Sequence, residues 1–230
     1  MAIRIDIPIE ITALEVSQAL CRGRRDASWM QEQVEEAVEQ ARKLWSPCMV
    51  YEWIDILSVT GEAVRVRSQS LDAEVILNIG PHTHLVKPAL KAFISVNTIG
   101  PRLDETVGIL NRQGEMLAAY LMDSVGVVAL SKVSDAANRM VETYAGELGW
   151  GVGDRLSPGS LKGWPTSGQR EICALLDLNH AGLSLSDSGL LVPFKSASGF
   201  IGIGPEYKRQ SVGSVCSLCN LKETCWRRKI

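Results

Sequence analysis

The sequence predicts an α+β fold, and three observations carry that expectation. Two short runs alternate apolar and polar residues on either side of a turn, as the strands of a hairpin do. Two long stretches carry apolar residues at helical spacing. A late stretch of short apolar runs is punctuated by Ser, Gly and Pro.

Taken in order, IRIDIPIEI (3–11) alternates with Pro8 inside, which predicts an edge strand or extended arm. A short helix is expected over 13–21. SWMQEQVEEAVEQARKLW (28–45) reads as a helix opened by a Ser28/Gln31 capping box, with Val34, Ala37, Val38, Ala41 and Leu44 on one face and a solvated acidic face opposite. VYEWIDIL (50–57) and AVRVRS (63–68) make a hairpin turning at Thr60–Gly61. EVILNIG (74–80) is a further short strand and KAFISVNTIG (91–100) a buried one. PRLDETVGILNRQG (101–114) has Pro at the first helical position and ends in Gly, as a helix does. Residues 115–149 form a long apolar helix in which Gly126 lets a neighbour come close. WGVGDRLSPGS is glycine-rich and extended. TSGQREICALLDL (166–178) reads as a helix with a Thr166/Gln169 capping box. Strands separated by turns follow over 182–205, before the polar tail CSLCNLKETCWRRKI.

Composition excludes several classes. The 230 residues are 46% apolar and 22% charged, enough for a sizeable core, and the net charge is −2. With no Lys/Arg stripe, nucleic-acid binding is not expected. MAIRIDIPIE carries charges where a signal peptide needs an apolar run. LAAYLMDSVGVVAL (117–130) is shorter than a membrane span and contains Asp123, so a buried helix and a cytoplasmic, non-membrane protein are expected. No Ser/His/Asp order, Walker loop or zinc-protease helix supports a hydrolase or NTPase. His82 and His84, two apart in GPHTHL, read as part of a polar loop, with a shared metal as the alternative. His180 lies just past a predicted helix C-terminus, where a cation is favoured.

Cys21, Cys48 and Cys173 sit in apolar settings and read as core thiols. Cys216-x2-Cys219-x5-Cys225 is different: three thiols near the terminus, in a tail too polar to bury itself, predict a metal ion or Fe–S cluster. Zinc and a 4Fe–4S cluster share this spacing. The fourth ligand is open among Cys21, Cys48, a His, water and a partner's residue. Structural zinc contributes about 10–16 kcal/mol in small peptides, which would supply the missing folding energy.

The loop RLSPGSLKGWP (155–165) combines a Pro158–Gly159 turn with a stop at Pro165. Such a loop is expected to leave backbone polar groups for water or a ligand. Gly159 permits close approach, and Arg155 is a planar cation suited to a carboxylate. From these residues alone a surface turn with a solvated Arg155 is the expected reading, with a ligand loop as the alternative.

The order R-x-x-P-G, then W-P, a helix ending ALLDL and LSLSDSGLLVPFKSASGFIG resembles the activation domain of cobalamin-dependent methionine synthase. The match is best from Gly153 to about Pro205. SVNTIGPRLDE and LAAYLMDSVG look like parts of the same domain. Below residue 90 the resemblance is weak, and the tail cysteines lie outside it. It implies three regions: an N-terminal α/β portion over 1–90, an activation-domain-like core over 91–210 forming a single domain with it, and a cysteine-rich tail over 211–230. It also implies a twisted antiparallel sheet with several helices, a groove for S-adenosylmethionine, and a partner that presents cobalamin. Arg155 corresponds to the family Arg that holds the ligand's carboxylate end. Ser157, Pro158 and Gly159 match the loop that reads the adenosine, with Ser160 standing where the family has Tyr. Pro193, Ser196, Ser198 and Gly199 match the P-x-x-S-x-S-G run beside the groove. Phe200–Ile201 replaces an aromatic pair. Asp123 stands near the place of an acidic residue on the family's long helix, and reads equally as a paired core carboxylate.

The function implied is that of an S-adenosylmethionine-binding accessory protein. It would support reductive methylation of cobalamin on a corrinoid protein or methyltransferase, with an electron from a flavodoxin, a ferredoxin or a cluster on the tail. The alternatives are an Fe–S redox protein that reduces a corrinoid partner and a zinc-stabilised binding module without catalysis.

Overall fold

A computed structural model describes residues 2–21 and 30–225. The predicted hairpin is formed by β2 (Cys48–Thr60) and β3 (Ala63–Ser68), with Thr60 opposite Ala63. Gly61 turns the chain at φ +58°, a conformation that costs glycine nothing. Along β3 the buried residues Val64, Val66 and Ser68 alternate with exposed Arg65 and Arg67, the period-two pattern read in the sequence. β4 (Ala73–Asn78) extends this ribbon. On its other side β2 pairs with β5 (Lys91–Thr98), which in turn pairs with β9 (Ser196–Gly204). Flanked on both edges and covered on both faces, β5 is buried almost throughout.

Among the described residues, eight strands make one sheet. Its order is β10 (Gly213–Ser214), β6 (Gly151–Leu156), β9, β5, β2, β3, β4, with β1 (Ile3–Asp6) beside the first half of β2. Only the β10–β6 pair is parallel. β7 (Ser184–Leu185) and β8 (Leu191–Val192) form a separate small hairpin. The expected α+β fold around an antiparallel sheet is what forms.

One face of the sheet is covered by α1 (Ala13–Cys21), α2 (Gln31–Arg42), α3 (Arg102–Gln113) and α4 (Met116–Glu147). α1 opens with a capping box that sequence reading passed over. The Glu15 amide donates to Thr12 Oγ1 at 3.3 Å, and the Thr12 amide donates to Glu15 Oε2 at 2.9 Å. The Ser28/Gln31 box expected for α2 involves a residue outside those described. Pro101 is the N-cap of α3 rather than its first helical residue, and Gly114 closes the helix in the left-handed conformation.

α4 is the core helix. Leu121, Val125, Ala129, Val133, Ala137, Val141 and Ala145 are all buried at four-residue intervals. Because the helix repeats every 3.6 residues, this row winds around it, and α1, α2, α3 and the sheet cover it in turn. By length and composition α4 would suffice to cross a membrane, but 44% of its most apolar stretch is buried inside the fold. Gly126 provides the close approach expected of it: a Cβ there would lie 2.8 Å from Leu103 Cδ2 and 3.0 Å from Lys195 Cε.

The opposite face is covered by residues 157–192, where Leu161, Trp164, Ile172 and Leu175 bury against Val50, Ile94, Val96 and Phe200. Here the helix expected over 166–178 is corrected. A 3-10 turn (Thr166–Gly168) leads into α5 (Gln169–Cys173), only five residues long, and no side-chain cap forms. Gly168 packs directly on the Trp164 indole, leaving no room for a Cβ, and this turns Gln169 inward instead of back to the helix end. Cys48 and Cys173 are core thiols as expected, with burial pushing Cys173 up to about 12, while Cys21 is half-buried.

Phe93 on β5 is fully buried, stacked on Tyr51 and edge-on to Trp53, each with ring centroids 5.1 Å apart. Phe93→Ala is expected to lower unfolding free energy by about 3–5 kcal/mol in urea denaturation. A loss below about 1 kcal/mol would show that this strand does not anchor the core.

Candidate functional site

The loop after β6 is built around the buried Trp164. The amides of Gly159, Ser160, Leu161 and Trp164 donate to Trp164, Ser157, Ser157 and Leu161 carbonyls, at 2.8–3.2 Å. The Ser157 hydroxyl donates to the Ser198 carbonyl at 2.7 Å, fastening the loop to β9. The tail closes the other side. The Lys162 amide donates to Leu218 O at 3.0 Å, the Asn220 amide to Ser160 O at 2.9 Å, and Asn220 Nδ2 to Gly159 O at 3.2 Å. The expectation that this loop holds its backbone groups open for a ligand is therefore corrected. Most of its amides and the carbonyls of Ser157, Gly159 and Ser160 are engaged, and what it offers to the groove is side chains.

Between this loop, α4 and the start of β9 lies a groove of about 360 Å3, within the roughly 300–1,000 Å3 range of small-molecule sites. Of the sequence-selected residues, Asp123, Ser157, Pro158, Ser160, Ser196 and Ser198 line it. Gly159 stands behind them in the loop. The apolar share comes from Val127 and Leu130 of α4, Leu191 of β8 and Phe194. Phe200 faces the opposite core, so the substitution in the aromatic pair falls on packing positions and not on the groove.

Arg155 and Gly199 lie beside the groove without lining it. β6 and β9 place Arg155 opposite Ile201, and its guanidinium lies flat on Gly199, where a Cβ would come within 2.5 Å of Cζ. Nη1 donates to Asn138 Oδ1 of α4 at 3.3 Å, while Nη2 is buried without a partner. Burial pushes the guanidinium down from its ordinary 12.5 to about 10, an effect that Asp135 partly opposes. Beside it, Asn97 Nδ2 donates to Ser134 Oγ at 3.2 Å, and Asn97 Oδ1 is buried and unpartnered. Asp123, Val127, Leu130, Ser134 and Asn138 recur at helical spacing, so groove wall and polar cluster share one stripe of α4.

Sequence reading missed two polar lining residues. Gln169, read as a capping residue, is buried with Oε1 unpartnered, as is Ser198 Oγ across the groove. Buried polar atoms of this kind are costly unless something satisfies them. Lys195 is the second. Its side chain is 5% exposed, and Nζ pairs with Asp123 and, at 3.4 Å, with Asp104. Asp123 is thus a paired carboxylate as well as a groove residue.

The expected metal site fits less well. Cys216 opens a 3-10 turn (Cys216–Leu218), and Cys219 bridges Leu161. Among the described residues, no group of three or more His, Cys, Asp or Glu side chains is placed to hold a metal ion, so Cys216, Cys219 and Cys225 form no ready ligand set. Burial of Val215, the β10–β6 pairing and the bonds to the loop hold the tail instead. His82 and His84 lie in a 3-10 turn (Gly80–Leu85) with ring centroids 5.8 Å apart, and His180 faces Asp177 at 3.4 Å.

No protein-family model and no curated protein matches the sequence. Among solved structures, the crystal structure of the MetH reactivation domain bound to AdoHcy matches with a TM-score of 0.68 at 14% identity, covering 95% of this chain and 83% of that one. At this identity the likeness establishes a common fold.

Because burial penalises the Arg155 charge, Arg155→Met is expected to leave the thermal midpoint unchanged or raise it by a few degrees in calorimetry. A fall equivalent to more than about 2 kcal/mol would make Arg155 a structural residue.

Proposed function

We propose that the chain is an adenosyl-ligand-binding accessory protein. It binds S-adenosylmethionine or S-adenosylhomocysteine in the groove between α4, β9 and the Ser157–Ser160 loop, and acts on cobalamin presented by a corrinoid partner. One observation carries the reading. Six of the residues selected by resemblance, Asp123, Ser157, Pro158, Ser160, Ser196 and Ser198, far apart in the chain, line a single groove in a fold shared with an AdoHcy-bound domain.

The residue chemistry suits such a ligand. Val127, Leu130 and Leu191 supply apolar surface for a base or sugar, while Gln169 and Ser198 present unpartnered polar atoms to its edges. The Ser160 side chain on the groove wall is suited to hydroxyl or amino groups. Arg155, with one unpartnered nitrogen, is suited to a carboxylate once its guanidinium swings toward the groove from Gly199. When bound, S-adenosylmethionine supplies a methyl group; this chain binds and orients it. At the rim, Phe194 is 72% exposed and Leu190 about half exposed, an apolar border suited to a macromolecular partner such as a corrinoid protein or methyltransferase. The electron for reductive methylation comes from a separate donor.

Isothermal titration with S-adenosylhomocysteine is expected to show one site. Arg155→Met is expected to weaken it about tenfold to a hundredfold, the effect of losing a hydrogen bond to a charged group. Equal binding by both proteins would remove Arg155 from the site, and absence of binding heat for S-adenosylhomocysteine and S-adenosylmethionine alike would refute the reading.

A further inference from the structure

Lys195 is the most confined charge in the groove. Its carbonyl accepts from the Ile99 amide at 3.3 Å, and its amide donates to Asp104 Oδ2 at 2.9 Å, so its backbone is fixed. Its stem crosses α4 at Gly126, where a Cβ would stand 3.0 Å from Cε. Gly126 thus makes the channel through which the side chain reaches Asp123. Nζ then lies between Asp123, 45% exposed on the groove wall, and Asp104, 22% exposed behind it, and 5.2 Å from the centre of the Phe194 ring. The cation is held from every side and cannot leave the groove without abandoning two carboxylates.

We infer that Lys195 tunes the charge preference of the groove: by pairing with Asp123, it weakens the preference for a ligand carrying a sulfonium cation over the thioether of the same skeleton. The inference rests on the adenosyl-ligand reading above. Without Lys195, Asp123 would present an unopposed carboxylate, the natural counter-charge for a sulfonium. With it, a second cation entering the groove meets an ammonium already paired there. S-adenosylmethionine and S-adenosylhomocysteine differ by one methyl group and one positive charge, so the ratio of their affinities isolates this effect from the shared contacts.

The test is calorimetric titration of both compounds against wild type, Lys195→Met, Lys195→Arg and Asp123→Asn, with a thermal melt of each protein. Lys195→Met is expected to raise the affinity for S-adenosylmethionine relative to S-adenosylhomocysteine by about tenfold, the order expected for removing one nearby charge in a partly solvated site. Lys195→Arg keeps the charge and is expected to leave the ratio within about twofold. Asp123→Asn is expected to move it the opposite way. An unchanged ratio in Lys195→Met, with both compounds still bound, overturns the role of Lys195 and leaves the groove assignment standing. If neither compound binds any of the folded proteins, both inferences fall.

Discussion

The pairing of β5 with β2 on one edge and β9 on the other is the constraint on which everything else rests. It creates a sheet with two usable faces. α4 crosses one, and the segment led by Trp164 covers the other. β9 is the strand where the two coverings meet. Its first residues, Ser196–Ser198, emerge between the Asp123–Leu130 part of α4 and the Ser157–Ser160 loop, and the groove is the space left there.

Several polar groups are buried at or beside that space. Gln169 and Ser198 on its wall and Arg155 beside it each bury a polar atom without a partner, and Lys195 is buried between two carboxylates. A fold selected only for stability would place apolar side chains at such positions, because unpaired polar groups cost free energy. Their grouping at and beside one groove is what supports the binding proposal. The C-terminal tail belongs to the same arrangement: its backbone bonds to Gly159, Ser160 and Lys162 brace the loop from behind.

Much of this was legible in the sequence. The Val64/Val66 alternation, the helical repeat through α4 and the small Gly126 each found the place their chemistry implied, because periodicity and glycine report on burial directly. The Thr166/Gln169 spacing misled. It matches a capping box, but the packing of Gly168 on Trp164 prevails over local capping, and no residue spacing announces that contact. Lys195 was silent for a similar reason: its partners, Asp104 on α3 and Asp123 on α4, lie 91 and 72 positions away, and only the packing of both helices beside the start of β9 joins them. The tail showed its cysteines in sequence and hid its bracing role, since backbone hydrogen bonds carry no sequence signature. Convergence of Asp123, Ser157 and Ser198 was legible only through family resemblance.

The most direct test of the groove assignment is residue-resolved. A 1H–15N spectrum titrated with S-adenosylhomocysteine is expected to move the amides of Ser157, Gly159, Ser160, Gln169 and the non-proline residues of 190–199, together with those of α4 around Asp123–Leu130. The hollow of Trp53, Arg139 and Tyr144 on the far part of α4 should stay still. Shifts centred on Trp53 and Tyr144, or no shifts at a saturating concentration, would contradict it.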